Sequence, residues 1–274
     1  MRLWGCPEAF GAITYSVGAR MWNLAGVPRC NGAGWMPGKD PARKPVTSPT
    51  QRQEAAIMGM IDANTAAQLK QLFSGITNPV GLKLFKSDVG CRYCSHTHQL
   101  MEEVAGFSEH LKLEVFDMAE HKDLAEQYHI DRVPALVIQG AEDEGVRFYG
   151  IPAGHEFATI VEAVLDYGMG RGLDLADSTV KALGQVQKPM RIQVFVTPTC
   201  PYCPNAVRLA HKFARASKHI IGEGVEVSEF PDLIEKYSVQ GVPKTVVDDA
   251  VEFVGAHPEE SALQYVLEAA KIGG

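Results

Sequence analysis

The chain has 274 residues, 46% of them apolar, which is room for about two domains with packed cores. Its net charge of −7 argues against the basic face that a nucleic-acid binder would show. No apolar run approaches the roughly 18 residues of a membrane-spanning helix.

Residues 1–57 differ in composition from the rest. They hold seven basic and three acidic residues, a net of +4, so the remainder carries −11. Gly26, Pro28, Gly32, Gly34, Pro37, Pro41, Pro45 and Pro49 interrupt this stretch too often for a stable element. Its apolar patch over 9–17 is broken by Gly11 and Ser16 and lacks a small-x-small cleavage site, so it does not read as a secretory signal. The stretch is expected to be a disordered or spurious extension, and the protein to be cytoplasmic.

From residue 62 the pattern becomes regular. Residues 62–73 predict an amphipathic helix on Ala66, Leu69, Leu72 and Phe73, capped by Asp62 or Asn64 and stopped by Gly75, Asn78 and Pro79. A strand over 80–85 follows, then Cys91-Arg92-Tyr93-Cys94, which opens a helix with Leu100, Val104 and Phe107 on one face. Next come a strand over 111–116, a short helix over 122–128, Val133-Pro134, and strands over 135–138 and 146–149 joined by a turn. A helix over 155–167, apolar at Phe157, Ile160, Val161, Val164 and Leu165, closes the unit. Beyond Gly168, Gly170 and Gly172 a helix over 177–183 begins a second unit. The order then recurs: strand 192–196, Cys200/Cys203, helix to 213, strand 225–227, helix 232–237, Val242-Pro243, strands 245–247 and 251–254, helix 261–270.

The recurrence is a true repeat. Cys91 to Pro134 spans 43 positions, and so does Cys200 to Pro243. At the same offset of 109, Asp123 meets Asp232, Leu124 meets Leu233, Glu126 meets Glu235, Tyr128 meets Tyr237, and Val133 meets Val242. The body is a duplicated unit of about 100 residues, each a small mixed β-sheet with helices packed on it.

Two cysteines three apart at a helix start can close a disulfide or open it again. A free thiol near pKa ~8.5 is mostly protonated at neutral pH, and a helix N-terminus offers unpaired N–H groups and partial positive charge to a thiolate. Cys91 and Cys200 are therefore expected to be the exposed, attacking thiols, and Cys94 and Cys203, one turn further in, the buried resolving thiols. Arg92 adds a cation to the first motif, and Pro201 suits a first helical position in the second. Pro204 has two readings of equal weight, a bend that shapes Cys200 or an ordinary first-turn proline.

Val133-Pro134 and Val242-Pro243, in matched register with the two CxxC motifs, are expected to be cis and to hold an extended substrate segment. Tyr93 and Tyr202 are expected to cover the sites and contact substrate; as the bland alternative they pack on the next strand. Neither strand before a CxxC carries a carboxylate; Lys83 and Gln193 are the polar residues there, so proton handling falls to water or to a carboxylate from elsewhere. His96 and His98 read as solvated, His155 and His257 as turn residues, and His211 and His219 as surface residues. Four thiolates could also bind zinc, but zinc ribbons space their pairs about 15–20 residues apart, and 105 residues separate Cys94 from Cys200. Cys6 and Cys30 are given no structural role.

The stretches Gly150-Ile151-Pro152-Ala153-Gly154-His155-Glu156-Phe157, 194–204, 206–214 and Val242-Pro243-Lys244 carry a resemblance. From about Met58 to its end the chain resembles the glutaredoxin-like protein disulfide oxidoreductases, which have two tandem thioredoxin-like folds. The resemblance implies α/β units over 58–170 and 171–274, both CxxC pairs redox-active, and an enzyme that reduces, forms or shuffles protein disulfides. It also implies a thioredoxin reductase-like flavoprotein as electron donor. NADPH and FAD would belong to that partner, since no G-x-G-x-x-G fingerprint is present here. Two other readings stand beside it: an electron donor to a peroxiredoxin, and a non-catalytic zinc- or peptide-binding module.

Overall fold

A computed structural model describes residues 59–272; the expectations for 1–57, with Cys6 and Cys30, lie outside them. The first helix, α1 (Ala63–Phe73), is capped by Asp62, whose carboxylate accepts the N–H groups of Asn64 at 3.0 Å and Thr65 at 3.1 Å. The first unit then runs β1 (Val80–Lys86), α2 (Cys94–Ala105), β2 (Leu111–Asp117), α3 (Lys122–Gln127), β3 (Ala135–Gln139), β4 (Val146–Tyr149) and α4 (His155–Gly168). The second runs α5 (Asp177–Leu183), β5 (Met190–Val196), α6 (Cys203–Arg215), β6 (Ile220–Glu226), a 3-10 turn (Val227–Glu229), α7 (Pro231–Lys236), β7 (Lys244–Val247), β8 (Val251–Val254) and α8 (Glu259–Ile272).

The two units share one eight-stranded sheet in the order β2-β1-β3-β4-β6-β5-β7-β8. Within each unit the CxxC strand pairs parallel with one neighbour and antiparallel with the other. The seam is the parallel pair β4–β6, with Phe148 opposite Gly224. The central strands are near-continuous apolar runs because both faces are covered. On one face α1, α2, α4, α5, α6 and α8 bury residues such as Phe73, Met101, Ile160, Leu183, Phe213 and Val266 in one core. On the other, Ala125 of α3 and Leu233 of α7 pack with Phe85, Tyr149 and Phe195.

Three expectations need correction. The strand read over 225–227 spans Ile220–Glu226, with Gly222 and Gly224 inside it as points of close approach. A Cβ on Gly222 would lie 2.4 Å from the Ala210 carbonyl oxygen, and one on Gly224 would lie 2.6 Å from the Phe148 ring. The CxxC helices start at the second cysteine of each motif, so Pro204, not Pro201, occupies the first turn of α6, where a missing N–H costs nothing. His211 is no surface residue: burial holds its imidazole neutral, and Nε2 lies 3.0 Å from the Arg147 carbonyl oxygen.

Candidate active sites

β1, β2, β4, β6 and β5 all run in one direction, so both CxxC motifs leave the same edge of the sheet. Both helices that follow, α2 and α6, pack on the same face.

In the first site Cys91 and Cys94 are joined by a disulfide with Cα atoms 5.5 Å apart. Cys94 is buried, and its Sγ accepts the Ser87 N–H at 3.4 Å; Cys91 is half-buried. Arg92 is exposed, its guanidinium 5.2 Å from the centre of the half-buried Tyr93 ring. The bond Val133–Pro134 is cis. Because Phe85 pairs with Ala135, Pro134 falls opposite Lys86, next to the Ser87 that touches Cys94.

The second site repeats this plan. Cys200 and Cys203 are disulfide-bonded with Cα atoms 5.5 Å apart, and the Cys200 N–H donates to the Thr197 carbonyl at 3.2 Å. Val242–Pro243 is cis, and the Phe195–Lys244 pair sets Pro243 opposite Val196. In both sites a glycine after the last hairpin strand holds the proline. Gly150 N–H donates to the Pro134 carbonyl at 2.9 Å, and Gly255 N–H to that of Pro243 at 2.7 Å, each glycine at positive φ. With the disulfide closed, Cys200 is 8% exposed and Cys203 fully buried, while Tyr202 stands 67% exposed beside them.

Lys83 and Gln193 serve the opposite face of the sheet. Lys83 pairs with Glu114 at 2.5 Å over the Phe116 and Tyr128 rings, and Gln193 accepts from the Tyr237 hydroxyl at 3.2 Å. A carboxyl does reach the CxxC face from elsewhere. Glu156, in the first turn of α4, is 1% exposed; Oε2 accepts from the Thr159 hydroxyl at 2.8 Å and Oε1 has no partner. Burial raises its carboxyl to about 7. Helix α4 lies parallel to α6. His155 N–H donates to the Pro198 carbonyl at 3.0 Å, Thr159 and Ala163 lie beside Arg208 and His211, and Asp166 pairs with Arg215 at 3.6 Å. That register brings Glu156 level with the Cys203 turn.

The loop 150–154 lies between the sites. Its Gly154, at φ 60°, approaches Pro198 so closely that a Cβ would meet the carbonyl oxygen at 2.2 Å. At its other end Ile151 N–H donates to Glu229 Oε1 at 2.6 Å. Burial raises the Glu229 carboxyl to about 7 against the pull of that hydrogen bond. Among the described residues, no three His, Cys, Asp or Glu side chains are grouped so as to hold a metal ion, and no helix is long and apolar enough to cross a membrane.

The family model described as Thioredoxin domain matches this chain twice, over residues 83–162 and 190–268. A protein disulfide oxidoreductase from Aeropyrum pernix is similar in structure at a TM-score of 0.71 and 33% identity, over 77% of this chain and 94% of that one. A mutant of the alkylhydroperoxide reductase AhpF from Enterococcus faecalis matches at a TM-score of 0.69 and 26% identity, over 75% of this chain and 99% of that one. Among curated proteins, the AhpF counterpart of Xanthomonas campestris pv. phaseoli is 24% identical over 186 residues, covering 67% of this chain and 32% of that protein. The chain spans about a third of the length of the curated relatives it matches. With two complete units, each closing a CxxC pair, the chain belongs to the thioredoxin-domain family, among its tandem two-unit protein disulfide oxidoreductases.

Proposed function

We propose that the protein is a protein-disulfide oxidoreductase whose pairs Cys91/Cys94 and Cys200/Cys203 exchange disulfides with protein substrates. The observation that carries this reading is the duplication: two bonded CxxC pairs at one edge of one sheet, each beside a Val-Pro pair in the same register. In the reductive direction the thiolate of Cys91 or Cys200 attacks a substrate disulfide. The substrate S–S bond breaks, a mixed disulfide forms, and the departing sulfur takes up a proton. The thiolate of Cys94 or Cys203 then displaces the second substrate sulfur and closes the CxxC bond. Two electrons and two protons pass from enzyme to substrate; the reverse sequence forms a substrate disulfide.

Each residue has a part suited to its surroundings. The N-termini of α2 and α6 stabilise the attacking thiolates, with Arg92 adding charge at Cys91. Val133-Pro134 and Val242-Pro243 hold the extended substrate backbone, and Tyr93 and the exposed Tyr202 contact its side chains. Glu156, titrating near neutrality with a free oxygen, takes the Cys203 proton when that thiol must attack.

The protein binds no cofactor of its own in this reading; a thioredoxin reductase-like flavoprotein supplies electrons. It works in the cytoplasm, with unit boundaries at 58–170 and 171–274 and a dispensable segment over 1–57. The likeness to AhpF reductases supports a narrower variant in which a peroxiredoxin is the substrate.

The test is insulin reduction with dithiothreitol. Cys91→Ser and Cys200→Ser are each expected to retain part of the rate, and the double variant to fall to the uncatalysed background. A double variant as fast as the native chain removes the catalytic reading.

A further inference from the structure

Glu229 is a half-buried carboxyl with no task in that scheme. It belongs to the second unit, yet it reaches into the first. Its Oε1 accepts the Ile151 N–H at 2.6 Å, and it fits there because residue 150 is glycine, where a Cβ would lie 2.9 Å from that oxygen. Gly150 in turn donates to the Pro134 carbonyl at 2.9 Å. Pro134 falls opposite Lys86, beside the Ser87 whose N–H meets the Cys94 sulfur. Hydrogen bonds and strand register therefore link Glu229 to the first disulfide.

The charged groups facing Glu229 are few. Glu226, at the end of β6, repels it and is itself tied to the Ser228 N–H. The cation whose field reaches it is Arg92, between the two cysteines of the first pair. Arg132, on the loop before Pro134, is engaged elsewhere, with Asp131 at 3.1 Å and Asp232 at 3.2 Å, over the Phe230 ring.

We propose that Glu229 is a positioning residue of the Cys91/Cys94 site: it braces the Gly150-Ile151 backbone against Pro134 and governs how much of the Arg92 charge reaches Cys91. The first site is thus completed by the second unit, just as Glu156 of the first unit serves Cys203. Its titration near neutrality makes that control responsive to pH. The inference rests on the disulfide-exchange reading above, but its test measures thiol ionisation and not turnover, so each can fail without the other.

In the full chain carrying Cys200→Ser and Cys203→Ser, iodoacetamide alkylation of reduced Cys91 is followed across pH with and without Glu229→Gln. Ionised Glu229 opposes a thiolate and draws on Arg92. Its removal is expected to speed Cys91 alkylation roughly three- to tenfold near neutral pH. Most of that gain is expected to vanish when Arg92→Gln is added. The mirror experiment, Cys200 in a Cys91→Ser, Cys94→Ser chain, is expected to be unchanged. An unmoved Cys91 profile, or an equal shift at Cys200, overturns the proposal. If the Gln variant does not fold, the carboxyl carbon-13 shift of Glu229 in the unaltered residue decides. Reduction of the first pair must move its titration upward, in a Cys200→Ser, Cys203→Ser chain; a titration indifferent to that reduction overturns the proposal as well.

Discussion

Glu156 shows how one buried carboxyl bears on stability as well as on the chemistry proposed for it. Unfolded it ionises near 4.5; folded, burial holds the proton to about 7. Between those values only the unfolded chain gives up the proton, so rising pH erodes stability, and above 7 the full penalty is present. Glu156→Gln is expected to raise the melting temperature at about pH 8 and to leave it unchanged near pH 4. The alkaline gain is on the order of 2 kcal/mol, read by calorimetry across pH. Superimposable curves at alkaline pH would take Glu156 out of this account. His211 tilts the other way: burial lowers it to about 4, so its contribution is lost as pH falls from 6.5. The Glu156 variant is also expected to slow substrate release from Cys200 by a factor of roughly 10², measured by single-turnover quench. Glu156 had a signal in the sequence, since it shares a helix face with Thr159, Ile160 and Ala163, all of them buried. Glu229 had none, because its partner Ile151 lies 78 positions away and only the fold brings them together.

At the scale of elements, the apolar runs and punctuation made the order of strands and helices legible, and the 109-residue offset made the duplication plain. The strand expected over 225–227 is the exception: it spans Ile220–Glu226, and its two glycines are what lets β6 lie under α6. Gly222→Ala would drive a methyl against the Ala210 carbonyl, a backbone atom that cannot swing aside. A loss of about 1–3 kcal/mol is expected, seen as a lower urea midpoint. Because α6 begins at Cys203, insulin reduction through the second pair should suffer more than through the first. A midpoint within error of the native chain would mean that α6 shifts freely, against the packing described.

The seam at the scale of the molecule was invisible in the sequence, since the repeat gives no hint that β4 and β6 pair. Across it runs a chain of charges: Arg191 holds Glu223 through two bonds of 2.9 and 3.0 Å and reaches Asp131 of the first unit at 3.0 Å, while Arg132 meets Asp232. Glu223 is fully buried, which raises its carboxyl to about 7 even with Arg191 beside it. Arg191→Met removes the compensation and is expected to cost about 3 kcal/mol at neutral pH. The loss should shrink in acid, where Glu223 can carry a proton in both variants; denaturant titration at two pH values measures it. A loss of equal size at both would show that packing, not charge, is what Arg191 supplies.

The common edge and face of the two CxxC motifs have a kinetic consequence. In the disulfide exchange proposed above, a substrate held at one pair by a mixed disulfide keeps the rest of its chain tethered beside the other. Its second encounter is then governed by an effective concentration set by the length of the tether and not by diffusion from bulk. For proteins with several disulfides the pair of sites acts as a bivalent reagent, and the advantage disappears for small disulfides that reach only one site at a time.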